Sequence, residues 1–203
     1  MAISSLSKFT VPIAGNTSVS NQGLLMPKLK YRFRVSFSRW GVTGNSTVEL
    51  TKQVIDITRP SVNFEQIPID VYNSKINVIG KHTWDPISVN IRDDVKNSVS
   101  KMVGEQVQRQ FDFMEQASAK AGVDYKFLTK LELLDGGNGS QNLQSLEEWN
   151  VVGCYIENVN YNDLNYASSE PASITMSIRF DNAVQTTTKG GSNNHVSTKN
   201  GAT

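Results

Sequence analysis

Apolar residues recur at every second position in several stretches of this chain. Tyr31, Phe33, Val35 and Phe37 alternate with Arg32, Arg34 and Ser36. Ile87, Val89 and Ile91, following Trp84, alternate with Ser88, Asn90 and Arg92, and Ile174, Met176, Ile178 and Phe180 face one way between Ser173 and Asp181. A period of two marks a strand with one face buried. Leu146–Asn158 reads as a closing strand, the stretch holding Tyr125, Phe127, Leu131 and Leu133 as another with a helix as the weaker alternative, and Thr47–Ile57 as a second strand that Arg59-Pro60 breaks. Val62–Val71 is expected at a sheet edge, because Pro68 cannot donate to a ladder. The period changes once: Val95, Val99, Met102, Val103, Val107, Phe111 and Met114 recur at spacings of three and four. Asp93 and Asp94 suit a helix N-terminus and Gly122 a stop, so one long amphipathic helix is expected over about 94–121. About seven strands with one late helix predict a mainly β fold, an antiparallel sandwich or barrel rather than a parallel α/β sheet.

The ends of the chain break the pattern. Residues 1–25, rich in Ser, Asn and Gly, read as an extended N-terminal arm, and 182–203 as a flexible tail around a β-domain at 26–181. A length of 203 residues suits one such domain with its arms. No run approaches ~18 consecutive apolar residues, and the N-terminus lacks an apolar signal core, so no membrane anchor and no secretory signal are expected. The single cysteine, Cys154, excludes an intrachain disulfide and reads as a small core residue in a reducing compartment.

Net charge is +1, but the charges are divided along the chain. No acid precedes Glu49, whereas Lys8, Lys28, Lys30, Arg32, Arg34 and Arg39 do. Positions 131–178 hold acids, among them Glu147, Glu148, Glu157, Asp163 and Glu170, and no lysine or arginine. One reading is solvated surface. The other is self-complementarity, a basic leading segment of one copy meeting an acidic face of the next, which sets register and encounter rate.

Candidate chemistry is sparse. Of two histidines, His195 lies in the tail, and His82 near Asp85 lacks a G-x-S-x-G nucleophile elbow. Zinc would need Cys and His ligands the chain does not have, no D-x-D-x-D-G loop offers a hard-cation site, and the glycine-rich Asp135–Gly139 carries no lysine for a phosphate. No catalytic residue, cofactor or metal is therefore expected. Lys28, Lys30, Arg32 and Arg34, interleaved with Tyr31 and Phe33, resemble a single-strand nucleic-acid grip, but the alternation turns the aromatic side inward. Assembly is the remaining theme: Ile76, Val78 and Ile79, between loop residues, enter either the core of one copy or a contact with another.

Two blocks carry a resemblance. The first has the form N-x-K-I-N-V-x-G at Asn73, Lys75, Ile76, Asn77, Val78 and Gly80, followed by Thr83-Trp84-Asp85 and the strand Ile87–Ile91. The second joins Trp149 and Gly153, a strand, an Asn/Asp-rich turn and a last alternating strand that ends at Asp181. With Met26, Pro27, Lys30, Phe33 and Val35 at the start, the chain resembles the tail tube proteins of T4-like contractile-tailed bacteriophages over about residues 24–94 and 146–181. The resemblance implies a subunit that joins copies of itself into a hexameric ring with a continuous inner β-barrel, the rings stacking into a tube. Implied partners are the tail sheath protein, the tape measure protein, a baseplate tube initiator and a tail terminator, with viral DNA passing through unbound, in a virion assembled in the host cytoplasm. The hairpin residues Asn73–Gly80 become subunit-interface candidates, the bases at 28–34 inter-ring candidates, and the five acids named above lumen or stacking-face candidates. A baseplate initiator or the tube of a contractile injection system would share these motifs.

Overall fold

The computed structural model describes residues 27–41, 47–135, 145–187 and 194–195. The arm expected at 1–25, the turn at Gly44-Asn45, most of the loop after Asp135 and nearly all of the tail beyond Thr187 lie outside them. The chain divides into two compact units, Met1–Arg32 and Phe33–Thr203. In the first, the Arg32 amide donates to the Leu29 carbonyl at 3.2 Å, and its guanidinium lies 5.5 Å from the Tyr31 ring centre.

The second unit is built from β1 (Phe33–Ser38), α1 (Val48–Gln53), β2 (Val54–Ile57), β3 (Val62–Val71), β4 (Ser74–Trp84), β5 (Ile87–Arg92), α2 (Ser98–Gln110), β6 (Phe111–Asp112), β7 (Ala117–Ser118), α3 (Gly122–Tyr125), β8 (Phe127–Leu134), β9 (Ser145–Asn160), β10 (Ser173–Arg179), β11 (Asn182–Thr187) and β12 (Asn194–His195). The main sheet runs β1-β8-β9-β10-β5-β2, and every neighbour is antiparallel. β9 serves two halves. Its first part lies between β8 and β11, and its second pairs with β10. At the changeover Gly153 has φ +71°, and a methyl there would collide with the Asp181 carboxylate. Asp181 is held by Lys126 Nζ at 2.7 Å, so glycine is what lets the two halves meet.

Alternation decides what is buried. Val35 and Phe37, Ile87 to Ile91, and Ile174 to Ile178 send every second side chain into one core with Phe127, Leu131, Val151 and Ile156. Leu50 of α1 and Val99 and Val103 of α2 close it. Cys154 sits in this core as expected, and burial pushes its thiol up to about 11.

The structure departs from the sequence reading in four places. The helix expected over 94–121 is only Ser98–Gln110. It begins where Asp94 Oδ1 accepts the amides of Ser98 and Val99 at 2.7 and 3.2 Å. Desolvation pushes this carboxyl up, but the amide bonds outweigh it and hold it below its ordinary value. The helix ends as Phe111 turns extended (φ −151°), and Asp112 Oδ1 takes the Met114 amide in a tight turn to β7. Val95 and Met114, counted in the apolar stripe, are exposed. The strand expected at Thr47–Ile57 is helical over α1, where Leu50 is buried and Lys52 pairs with Glu49 at 2.9 Å on the outer side. The fold continues past Asp181 as β11, whose backbone completes the free side of β9. Finally, β3 is no edge of the main sheet: among the described residues it pairs only with β4, in a separate two-stranded ribbon.

Candidate assembly interface

The ribbon grows out of the main sheet. β2 pairs with β5, and the same two chains continue as β3 and β4 beyond Pro60 and Pro86, which interrupt both strands at one level. Backbone bonds from Thr58 to Ser88 (2.9 Å) and from Asp85 to Ser61 (3.0 Å) carry the pairing across the break. From there the ladder runs from Val62↔Trp84 to Val71↔Ser74, closed by Tyr72-Asn73 with Tyr72 at φ 46°.

The register sorts the side chains. Ile67 opposes Val78 and Ile69 opposes Ile76, which puts Ile67, Ile69, Val71, Ile76 and Val78 on one face. The reverse face carries Gln66, Pro68, Asp70, Lys75 and Asn77 with one exposed apolar residue, Ile79 opposite Gln66, and Lys75 pairs with Asp70 at 3.2 Å. The ribbon is thus amphipathic, yet its apolar face is open: Ile69 is 48% and Ile76 54% exposed. Gly80 sits at a bulge, and a Cβ there would lie 3.0 Å from the Glu65 carbonyl and 3.3 Å from Ile67 Cδ1. An isolated two-stranded ribbon is marginal in water, and a clustered exposed apolar face marks a contact site. Covering these half-exposed side chains is worth about 1 kcal/mol each.

All six hairpin candidates from the sequence lie on this ribbon or its turn. His82 and Asp85 make separate contacts. His82 stands in an aromatic row between Phe64 and Trp84, 6.3 and 6.1 Å between ring centres, while the Asp85 carboxylate is taken by the Asn63 amide at 2.9 Å. Among the described residues no group of His, Cys, Asp and Glu could hold a metal ion, and no helix is long and apolar enough to cross a membrane.

The sheet also has open margins. Among the described residues β1 pairs only with β8, and β2 only with β5. β8 stops opposite Cys154, and the Gln110 side chain then takes its place for one residue. Its amide nitrogen donates to the Ile156 carbonyl at 2.9 Å, and its oxygen accepts the Ile156 amide at 2.8 Å. Beyond that plug, residues 157–160 have a strand partner among the described residues on the β10 side alone.

The charge division along the sequence is largely settled inside one copy. Arg34 binds Glu132 at 2.7 Å, and Lys130 bridges Glu132 and Glu148 at 3.2 and 3.0 Å. Burial pushes the Glu132 carboxyl up, but its bonds to Arg34 and Lys130 prevail and hold it below the usual carboxylate range. Glu147, buried, accepts from Trp149 Nε1 at 2.7 Å and lies 3.8 Å from Arg59. Glu157 pairs with Arg179 at 2.9 Å. Three of the five acids proposed for a lumen or stacking face are therefore engaged within their own copy, and Arg34 likewise among the bases. The base-free run draws its counter-ions from strands that the fold lays beside it. Asp163 and Glu170 remain exposed in the 161–172 loop with Leu164 and Tyr166, and Lys28 and Lys30 are exposed in the first unit. What sequence reasoning missed is the Gln110 plug, since a glutamine on a helix gives no sign that it will imitate a strand.

No protein-family model matches this chain, and no curated protein matches its sequence. Solved structures do match its fold. A chain of the anti-feeding prophage baseplate, 6-fold symmetrised, aligns with TM-score 0.59 at 11% identity over 82% of this chain and 100% of that one. A chain of the PVC extracellular contractile injection system's sheath–tube complex in the extended state gives 0.58 at 13% identity over 86% and 99%. The tube-terminating cap of the anti-feeding prophage gives 0.57 at 15% identity over 84% and 98%. The chain is similar in fold to tube, cap and baseplate components of contractile injection systems.

Proposed function

We propose that this protein is the tube subunit of a contractile phage tail, acting by assembly rather than by catalysis. The observation that carries the reading is the ribbon: an amphipathic two-stranded element whose apolar face stays about half exposed. The free margins support it. The second half of β9, β10, β5 and β2 form a four-stranded antiparallel set, so its two outer strands run in opposite directions. Rotating a copy beside itself then brings β2 against residues 157–160 as another antiparallel pair, and head-to-tail contacts of this kind close a ring. The ribbon covers its apolar face on the next copy, and the rings, hexameric by the resemblance, stack into a tube.

In this reading the tube encloses a tape measure protein, carries a sheath outside, starts on a baseplate initiator, ends at a terminator and lets DNA pass into the host. The protein belongs to the virion and is assembled in the host cytoplasm. The fold shared with a baseplate chain favours one alternative, a tube initiator, and the fold shared with a sheath–tube complex another, the tube of an injection system. Negative-stain microscopy of the concentrated protein tests the proposal. Hollow filaments of indefinite length support the tube subunit, single rings the initiator, and isolated globules reject both.

A further inference from the structure

Joining copies through β2 and residues 157–160 requires one register out of several. Side chains alternate across a strand, so a slip by one residue puts every side chain on the wrong face, whereas a slip by two keeps the faces matched. On the second half of β9, Val159 packs on the core while Asn158 and Asn160 are exposed. On β2, Ile57 packs on the core and Asp56 is exposed. Matched faces put Asp56 of one copy opposite Asn160 of the next, and Ile57 opposite Val159. A second register matches as well. Ser177 opposes Asn158 and Ile178 opposes Ile156, which leaves Glu157 as the extra residue of a bulge. A slide along β9 across that bulge sets Asp56 against Asn158 and Ile57 against Ile156, which is buried on the same face.

The Gln110 side chain separates the two registers. A carboxamide can donate and accept like a peptide group, and this one takes both backbone groups of Ile156, the amide at 2.8 Å and the carbonyl at 2.9 Å. In the first register the incoming chain asks nothing of Ile156. By that level it has reached Arg59 and Pro60, and a proline has no amide to donate. In the slipped register the incoming strand would have to bond to Ile156, whose groups Gln110 already holds. We infer that Gln110 is the register stop of the ladder between copies, a positioning residue that confines the docking strand to the part of β9 beyond it. The inference rests on the tube reading and adds the residue that makes neighbouring copies align alike. A ring closes only if every contact repeats one rotation, and a slip of two residues displaces a copy by roughly 7 Å along its neighbour's strand.

Cysteine cross-linking reads the register. Asp56 and residues 158–160 stand on opposite margins of the β9-β10-β5-β2 set. Three strand spacings, roughly 14 Å, part them within one copy, too far for a disulfide, and the native Cys154 is buried. The full chain carrying Asp56→Cys with Asn160→Cys, or Asp56→Cys with Asn158→Cys, is assembled, oxidised and run on non-reducing gels. With Gln110 in place, the first pair is expected to give cross-linked oligomers and the second only background. Gln110→Met lacks both bonds, and Gln110→Asn is one methylene shorter. In either background the second cross-link should rise from background to a yield comparable with the first, and ring diameters seen by microscopy should lose their uniformity. A role in packing alone would lower stability without moving the cross-link. Cross-linking of the second pair with Gln110 in place overturns the inference, as does an unchanged pattern in the Gln110 variants. Filaments in which neither pair cross-links refute the β2–β9 contact, and the stop with it, while leaving a tube. Absence of filaments strikes the tube reading itself.

Discussion

Ile67, Ile69 and Val71 on β3 and Ile87, Val89 and Ile91 on β5 are the same pattern written twice, twenty residues apart. Their fates are opposite. The β5 set is at most 2% exposed, inside the core, whereas the β3 set is 43% to 48% exposed on the ribbon. Alternation reports that a strand has an apolar face, and it is silent on what covers that face. β5 finds its cover in its own chain, from Val99, Val103 and the opposite half-sheet. Among the described residues β3 has only β4 beside it, and its apolar face stays half exposed.

The widest separation between the two sets should come from truncation. Ile91→Ala leaves a cavity in a closed core and is expected to cost about 3 kcal/mol in urea unfolding. Ile69→Ala should cost under about 0.5 kcal/mol in the same assay, yet sharply slow filament growth followed by light scattering. Comparable unfolding losses would mean that the ribbon is covered within the monomer, and the comparison would fail.

Gly153→Ala attacks the body from its backbone. The left-handed φ and the displaced Asp181 carboxylate, with loss of its bond to Lys126, should together cost about 2 kcal/mol. Gly80→Ala, the ribbon's counterpart, needs a shift of only a few tenths of an ångström against Glu65 and Ile67. Its unfolding curve should overlay the wild type while assembly weakens.

Glu132→Gln removes the acid between Arg34 and Lys130. Both partners are nearly half exposed, so solvent screens the loss to about 1 kcal/mol. Since the folded carboxyl lies below its ordinary value, its contribution is present above the ordinary carboxylate range and drains away as pH falls through the folded value. The stability difference between wild type and Glu132→Gln should therefore shrink on acidification. A difference that grows would show the pair to be unfavourable. The smallest effect expected is that of Lys75→Gln, because its partner Asp70 is exposed: no change in unfolding and only a modest change in the salt dependence of assembly.

How much of this was legible follows from the range of the forces involved. β1, β5, β8 and β10 are set by alternation over six to eight residues, and each was readable within a few residues of its end. The helix was overdrawn because Phe111 and Met114 keep the helical spacing while Asp112 captures the next amides and turns the chain, a local competition that periodicity does not register. α1 was hidden because six residues are too few to separate the two periods, and β11 because a polar strand is held by the backbone of β9 rather than by its own side chains. The hairpin candidates fell together because a hairpin is contiguous. The ion pairs of Glu147, Glu148 and Glu157 were not legible because Arg59, Lys130 and Arg179 stand well away from them along the chain, and only the fold brings them together.

The buried Cys154 has a practical corollary. Deep in the core and with its proton held to high pH, the native sulfhydryl is shielded from alkylating reagents under ordinary labelling conditions. A cysteine introduced at the ribbon tip would be the sole reactive handle on the chain. Spin labels or dyes could then follow the ribbon from free subunit to polymer in the otherwise unaltered protein.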